Sequence, residues 1–252
     1  AGSEWQGGAG TVALAHPARL PWMRLIIDNR GRLGQATPLP AIGRGQLQEV
    51  AEHRLDDWNR TLPVYNGLSL HAGRELLPDR TRDAVAVLER TEARSLQFSA
   101  DGPDLRELTG PDAFYIGLHR LEGLEVGAGC TVTTTDRLLL QRPEGGSGEL
   151  VVAGTLDAAE LQIEALDHLA VAAGGSLHAA ILLGQALDDV ELAGTLRFDL
   201  QELGDGGAAF ALANIEVRDG TQATLAGKWS VSGDLICAGG SLIFGELAVA
   251  GR

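Results

Sequence analysis

Short alternations of apolar and polar residues recur along the C-terminal half of the chain. Each consists of two or three apolar positions at every second residue, then a glycine turn, then a leucine in most cases. Alternation with a period of two sends successive side chains to opposite faces of a β-strand, so the pattern predicts short strands separated by tight turns. The repeated phrases are Leu150–Leu156, Leu169–Leu177, Val190–Leu196, Ile215–Thr221, Trp229–Leu235, Ala238–Leu242 and Leu247–Gly251.

The glycines of these phrases are regularly spaced. Gly154, Gly174 and Gly194 follow one another at intervals of 20 residues. The next interval, to Gly220, is 26 residues, and its surplus falls on the glycine-rich segment Gly204–Gly207. A fixed period with an insertion at one corner is typical of a repeat protein, because each coil contacts only its neighbours.

The period predicts a β-solenoid with coils of about 20 residues, running from about Gly123 to Arg252. Stacked coils would align Val, Leu and Ile into ladders that fill a narrow interior, and glycine would supply the positive φ angles at the corners. An antiparallel meander of 10-residue hairpins fits the same alternation, and it stays open as the alternative. The segment Leu124–Thr135 has the composition of an earlier coil, and Ala113–Leu118 that of a strand.

The first hundred residues have a different pattern. Trp22–Ile27 is a short apolar strand. Apolar residues at helical spacing predict an amphipathic helix over Gln46–Leu62, ended by Pro63. A second helix is possible over Asp83–Ala93, although Ala84–Leu88 also fits a strand. We therefore expect a mainly β protein in which residues 1–100 form a smaller mixed α/β region for attachment or oligomerisation and residues 101–252 form the solenoid.

Composition and charge narrow the classes of function. Apolar residues make up 44% of the 252 residues but aromatic residues only 4%, and 34 glycines are present, which suits an aliphatic core with many turns. The net charge of −14 argues against a nucleic-acid partner, which needs a basic surface, and against docking on anionic lipid. No apolar run approaches 18 residues, so no membrane-spanning helix is predicted.

The residue types that bind metals or form disulfides are sparse. Cys130 and Cys237 do not form a disulfide framework or a zinc motif, and both are predicted to be small buried hydrophobic residues. The six histidines are scattered; His168 and His178 fall within one predicted coil, and a metal shared between them is the less favoured interpretation.

The tryptophans are interpreted as packing residues, with Trp58 on the apolar face of the predicted helix, while the direction of the Trp229 side chain stays open. We predict no metal and no cofactor.

Carboxylates are the one group abundant enough to suggest catalysis. There is no GxSxG, HExxH, P-loop or dinucleotide-binding motif. Asp157, Glu160, Glu164 and Asp167 fall in one predicted coil and Asp188, Asp189 and Glu191 in the next, where stacking would align acids on an outer face. A pair about 5–9 Å apart would match a glycosidase. Asp188 and Asp189 are accordingly weak catalytic candidates, and a solvated acidic face is the preferred interpretation.

The glycine-punctuated phrases Leu169–Leu177 and Lys228–Leu235 resemble coils of phage tail-fibre or tail-spike β-helices and of bacterial surface adhesins. The resemblance covers about half of the chain and depends on pattern without a specific motif. It implies a rigid, often trimeric rod whose N-terminal part attaches to a larger particle, and it transfers no catalytic residue to this sequence.

We therefore expect a structural or attachment protein, a homo-oligomer found in a virion or at a cell surface, in contact with other structural proteins and with cell-surface glycan as a further partner. A carbohydrate-degrading or carbohydrate-binding β-helix is one alternative. A periplasmic lipid-handling β protein of the AsmA type is another, since Ala209–Val217 also fits its short apolar alternations, although no N-terminal anchor is visible in the sequence. Ala1 fits Met removal, signal cleavage or an engineered boundary equally well.

Overall fold

The structure is a computed structural model of the chain. It describes residues 10–15, 23–30, 36–39, 41–59, 64–65, 68–69, 74–82, 84–110, 113–142, 146–202, 210–219 and 221–250. Trp22 of the predicted first strand and the Gly204–Gly207 insertion lie outside these residues, as do Trp5, His16 and His71.

Strands account for most of the described chain, as the sequence predicted, and the helical segment among them is the four-residue α1 (Leu105–Leu108). In chain order the strands are β1 (Gly10–Ala15), β2 (Met23–Asp28), β3 (Thr37–Pro38), β4 (Arg44–Gln46), β5 (Glu49–Ala51), β6 (Arg54–Asp56), β7 (Val64–Tyr65), β8 (Leu68–Ser69), β9 (Glu75–Leu77), β10 (Ala86–Thr91), β11 (Ser95–Phe98), β12 (Phe114–Leu121), β13 (Gly123–Val126), β14 (Thr131–Gln141), β15 (Glu149–Val152), β16 (Thr155–Val171), β17 (Ser176–Leu192), β18 (Thr195–Glu202), β19 (Phe210–Val217), β20 (Gln222–Val231), β21 (Leu235–Cys237) and β22 (Ser241–Val249).

The chain divides into two compact units, each of which combines segments that are distant in sequence. The first, here called the solenoid unit, comprises residues 1–39, 120–133 and 138–252. The second, called the hairpin unit, comprises residues 40–119 and 134–137.

Parallel pairing of successive coils builds the solenoid unit. β13 pairs with β15, β15 with β16, and β16 with β17 over most of its length. β17 then pairs with β18 and β19, and these pair with β20 and β21. The predicted solenoid is confirmed, and the antiparallel meander is wrong, because each of these neighbours lies parallel to the strand before it. The predicted early coil at Leu124–Thr135 corresponds to β13 and the start of β14.

Two apolar ladders run through the interior of the solenoid unit. Each has seven members that lie opposite one another in register from β2 to β21, and the members from β2 to β19 are buried. Aligning branched side chains at a strand separation of about 4.8 Å buries the inward row that one short strand leaves exposed. The ladders are Leu25–Leu124–Leu150–Leu169–Val190–Ile215–Leu235 and Ile27–Val126–Val152–Val171–Leu192–Val217–Cys237.

The coils are not equal in length, so the regular glycine spacing only approximates the structural register. Thr155 lies opposite Ser176, and Ser176 lies opposite Thr195. The structural counterpart of Gly154 is therefore Gly175 and not Gly174. A Cβ on Gly175 would lie 2.3 Å from the carbonyl oxygen of Val152, whereas Gly174 has a φ of +80° with open space around it.

An aromatic cluster fills the interior near the last coils. The centroid of the Trp229 ring lies 5.0 Å from that of Phe210, 6.1 Å from that of Phe198 and 6.4 Å from that of Phe244. The rings of Trp229 and Phe198 are nearly parallel. Trp229 is buried, so its side chain points inward, a direction that the sequence left open.

The hairpin unit is antiparallel. β4 and β9 both pair with β12, β9 pairs with β10, β10 with β11, β11 with β6, and β6 with β5. The strand predicted over Ala113–Leu118 is confirmed as part of β12, and β10 shows that the strand alternative near Ala84–Leu88 was the correct one. Its core contains Ile42, Leu55, Leu76, Ala86, Leu88, Leu96, Phe98, Leu105 and Tyr115.

The amphipathic helix predicted over Gln46–Leu62 is wrong. Residues 49–51 and 54–56 form the hairpin β5–β6, in which Ala51 lies opposite Arg54. Leu55 is buried against β11, with Leu96 opposite it. Long-range pairing thus overrides a local helical spacing. Trp58 follows the hairpin in a turn and is 56% exposed, so its predicted place in the core is also wrong.

The two cysteines differ in environment. Cys130 is buried, as predicted, and its burial raises the pKa of the thiol. Cys237 is exposed, contrary to the prediction, although it belongs to an inward ladder. The reason is its place in the last coil, which no further described coil covers.

Candidate functional site

The coil register stacks polar residues on the outer faces of the solenoid unit in rows. Glu160, which was expected among the outer acids, is instead buried. Asp157 on β16 lies opposite His178 on β17, and His178 lies opposite Arg197 on β18. The row is flanked on both sides by inward positions, because neighbours in a strand point to opposite faces. Its inward neighbours are Leu156, Ala158, Leu177, Ala179, Leu196 and Phe198.

His178 joins three successive coils. Its Nδ1 lies 2.8 Å from Oδ1 of Asp157, and its Nε2 lies 3.0 Å from Oδ2 of Asp199. Arg197 Nε donates to the other oxygen of Asp199. The hydrogen bond to Asp199, followed by that to Asp157, raises the pKa of His178, and the bonds from His178 and Arg197 lower the pKa of Asp199.

This arrangement favours a charged imidazolium between two carboxylates. Both ring nitrogens then donate, so neither has a lone pair for a metal or for general-base chemistry. The row therefore acts as an electrostatic clamp between coils.

His168 lies in a separate row and not beside His178. It pairs in register with Glu149 on one side and Asp189 on the other. Across the described residues, no group of three or more His, Cys, Asp or Glu side chains is arranged to hold a metal ion.

The weak catalytic candidates, Asp188 and Asp189, are exposed neighbours on β17. Asp188 Oδ2 lies 3.6 Å from Nη1 of Arg142. Asp189 Oδ1 accepts a hydrogen bond of 2.8 Å from Nδ2 of Asn214 on the next coil. The two side chains thus have different partners, and their role as catalysts stays a prediction.

Arg142 also binds Asp167, an acid of the preceding coil. The backbone N–H of Gly148 donates to the second oxygen of Asp167 at 2.8 Å, and this bond, together with Arg142, lowers the pKa of Asp167. One guanidinium therefore contacts carboxylates from two coils. For Asp167 the lowered pKa is the opposite of the raised pKa that a general acid needs.

The hairpin unit contains a buried charged cluster that sequence reasoning did not find. Asp136 is fully buried, and its Oδ2 accepts hydrogen bonds from Nη2 of Arg74 at 3.0 Å and from the backbone N–H of Ile42 at 3.1 Å. The backbone N–H of Gly43 donates to Oδ1. His119 Nε2 lies 3.6 Å from Asp136 and 3.0 Å from Arg74.

Burial lowers the pKa of Arg74, and the charge and hydrogen bond of Asp136 oppose that shift. The Asp136 carboxylate accepts hydrogen bonds from the Arg74 guanidinium and from two backbone N–H groups, and these bonds stabilise its anionic form. The two backbone bonds also anchor the segment at residues 42–43. The signal in the sequence was a charged pair, Asp136–Arg137, inside the run of strand formers Thr131–Leu140. Gly117 is also part of the arrangement, since a Cβ there would lie 2.4 Å from the Asp136 carboxylate.

No protein-family model, curated protein or solved structure matches the chain. Within the described part of the chain, no helix is long and apolar enough to cross a bilayer.

Proposed function

We propose that the chain is a structural component of a larger assembly, in which the solenoid unit serves as a rigid scaffold. The observation that carries the proposal is the pair of seven-member apolar ladders, which fill the interior with the chain's own side chains. Rigid stacking of this kind supports an extended scaffold better than a conformationally active machine. The proposed setting is a virion tail fibre or spike, or a cell surface, with the periplasm as the alternative.

The outer polar residues support the same proposal. Several of their contacts join one coil to another: Asp157 to His178, Asp189 to Asn214, and Glu191 to Arg218 at 3.3 Å. Charges used in this way strengthen the stack of coils. A carbohydrate-cleaving site would need one acid with a raised pKa beside an ionised one.

The last described coil, which contains β22, is less buried than the coil before it. Its inward residues Leu247 and Val249 are 38% and 44% exposed, whereas Trp229 and Val231, which lie opposite them one coil earlier, are buried. We propose that the chain forms a homo-oligomer, and the resemblance to tail fibres implies a trimer.

Native mass measurement of the full chain tests the proposal. We expect a stable oligomer that survives dilution and contains no bound acyl chains. A 26.4 kDa monomer that co-purifies with lipid would refute the scaffold proposal and favour a lipid-handling protein.

The enzymatic alternative has a separate test. The wild-type chain is incubated with capsular polysaccharide or lipopolysaccharide, and released reducing ends are measured beside the Asp188→Ala and Asp189→Ala variants. We expect no release above a buffer blank. Release that either variant abolishes would identify a depolymerase, and release that neither variant changes would place the activity elsewhere in the chain.

A further inference from the structure

His178 lies at the centre of the electrostatic clamp, and charged groups face its two sides unequally. On the β16 side the facing charged group is Asp157, which lies opposite His178 in register. On the β18 side two charged groups face it, Arg197 opposite in register and Asp199 two residues further on. The other outward positions beside the ring on these three strands are uncharged; they are Thr155, Ala159, Ser176, Ala180 and Thr195.

The two carboxylates that bind the ring differ in what else they bind. Nε of Arg197 donates to the oxygen of Asp199 that His178 does not contact. Among the described residues, the side chain of Asp157 accepts one hydrogen bond, that of 2.8 Å with Nδ1 of His178. Asp199 therefore keeps a cationic partner when the imidazolium charge is lost, and Asp157 does not.

This asymmetry determines which proton of the charged ring is the more acidic. A neutral imidazole keeps one N–H, and its other nitrogen presents a lone pair. A lone pair beside a carboxylate is repelled by it, and the repulsion is weaker at Nε2 because the Arg197 guanidinium offsets the charge of Asp199. The shorter hydrogen bond also lies at Nδ1, 2.8 Å against 3.0 Å at Nε2. Loss of the Nε2 proton is therefore favoured over loss of the Nδ1 proton.

We propose that the clamp is a pH-sensitive device that opens on one side: loss of the Nε2 proton of His178 releases Asp199 on β18, while Nδ1–H stays bound to Asp157 on β16. The side-chain tie between β17 and β18 is then broken, and that between β16 and β17 is kept. The pKa of His178 is raised, first by the bond to Asp199, which is the bond that deprotonation removes. The opening consequently occurs above pH 6.5, the ordinary pKa of histidine.

The release affects β18 locally, because its backbone pairing persists. β18 stays paired with β17 and β20, and Phe198 points inward to stack on the buried Trp229. An exposed charged pair stabilises its surroundings modestly, so its loss increases local opening about two- to fivefold. The expected result is more frequent opening of residues 197–199 in a solenoid unit that stays folded.

The inference goes beyond the proposed scaffold function and does not depend on it. The clamp belongs to three described coils, so a scaffold and a lipid-handling protein would both contain it. The scaffold proposal is tested by native mass, and its failure would leave the pH response of the clamp unchanged.

The tautomer of neutral His178 tests which proton is lost. The full chain is labelled with ¹⁵N-histidine, and the ring nitrogens are followed by NMR from about pH 5.5 to about pH 9.5, with His178→Gln used to assign the signals. We expect a doubly protonated ring at low pH and the Nδ1–H tautomer at high pH. An Nε2–H tautomer at high pH, or a His178 pKa at or below 6.5, would overturn the proposal.

Hydrogen exchange tests the one-sided opening. Protection factors of the β18 amides at residues 197–199 are compared with those of the β16 amides at residues 156–158 over the same pH range. We expect protection at residues 197–199 to fall about two- to fivefold through the transition and protection at residues 156–158 to change little. An equal fall in both strands would overturn the one-sided release, and a fall in neither would overturn the device as a whole.

Asp157→Asn is the matched variant, because it removes the asymmetry without changing β18. With no carboxylate at Nδ1, the neutral ring keeps its proton at Nε2 and with it the bond to Asp199. We expect the Nε2–H tautomer at high pH and no pH-dependent fall in protection at residues 197–199, with circular dichroism showing that the variant folds. A fall as large as in the unsubstituted chain would contradict the role of Asp157 and overturn the proposal.

Discussion

Replacing Leu192 with alanine tests the inward ladder on which the fold depends. Leu192 is fully buried, and Val171 and Val217 lie opposite it on the neighbouring coils. Truncation removes three buried carbons and leaves a cavity that strands hydrogen-bonded on both sides cannot close. Such a change costs about 2–5 kcal/mol of the free energy of unfolding.

The assay is urea unfolding followed by far-ultraviolet circular dichroism. With a slope of about 2 kcal/mol/M, a loss of about 3 kcal/mol lowers the midpoint of the solenoid transition by about 1.5 M. Leu192→Asp should not fold, because it adds an unpaired buried charge that costs several kcal/mol more.

The matched controls are at the adjacent position. Glu191 faces outward, where it pairs with an exposed Arg218, so Glu191→Ala and Glu191→Lys should shift the midpoint little. Equal shifts for Leu192→Ala and Glu191→Ala, or a folded Leu192→Asp protein, would refute the inward and outward assignment of this strand.

Three further substitutions test the electrostatic clamp at His178, the buried charged cluster around Asp136 and the aromatic cluster around Trp229. The pKa of His178 is raised, so the stability that its charged form contributes is fully present below pH 6.5 and is lost as pH rises through the raised pKa. The urea midpoint should therefore fall over this pH range, and it should fall less in His178→Gln. An unchanged pH dependence in the variant would contradict the clamp. Asp136→Asn should destabilise the hairpin unit by about 3–5 kcal/mol, because it removes the buried carboxylate charge that faces the Arg74 guanidinium and the backbone N–H groups of residues 42–43. Hydrogen exchange of residues 42–43 should accelerate, and unchanged exchange there would contradict the anchoring role. Trp229→Ala should lower stability by about 3–5 kcal/mol in a thermal or urea melt, whereas the exposed Trp58→Ala should not, and equal effects would contradict the aromatic cluster.

The sequence predicted the solenoid because its signal is local and repeated. Val171, Leu192 and Val217 each stand in an alternation that any one coil displays, and stacking follows from the need to bury that row. The interior position of Trp229 needed the register of β20, which depends on where the corner at residues 226–228 falls.

The hairpin unit was harder to predict because its pairings join distant segments. Leu55 is buried by Leu96, about 40 residues later, and nothing near Leu55 signals that partner. A helix and the hairpin β5–β6 both fit the local spacing of Leu47, Val50 and Leu55, so the choice was made by tertiary contacts. Asp136 shows the same limit, since its backbone partners at residues 42–43 lie more than 90 residues away.

The polar rows explain why the candidate site was only partly predictable. Acids in adjacent coils do align, but which acid contacts which partner depends on the length of each coil. The coil from Thr155 to Ser176 has 21 residues, and the coil from Ser176 to Thr195 has 19. A slip of one residue would turn every outward side chain inward. The close approach to the preceding coil is made at Gly175, where a Cβ would meet the carbonyl oxygen of Val152, whereas Gly174 beside it has open space. The partners of His178 therefore follow from the unequal coil lengths, and a regular spacing of 20 residues selects Gly174 where the structure uses Gly175.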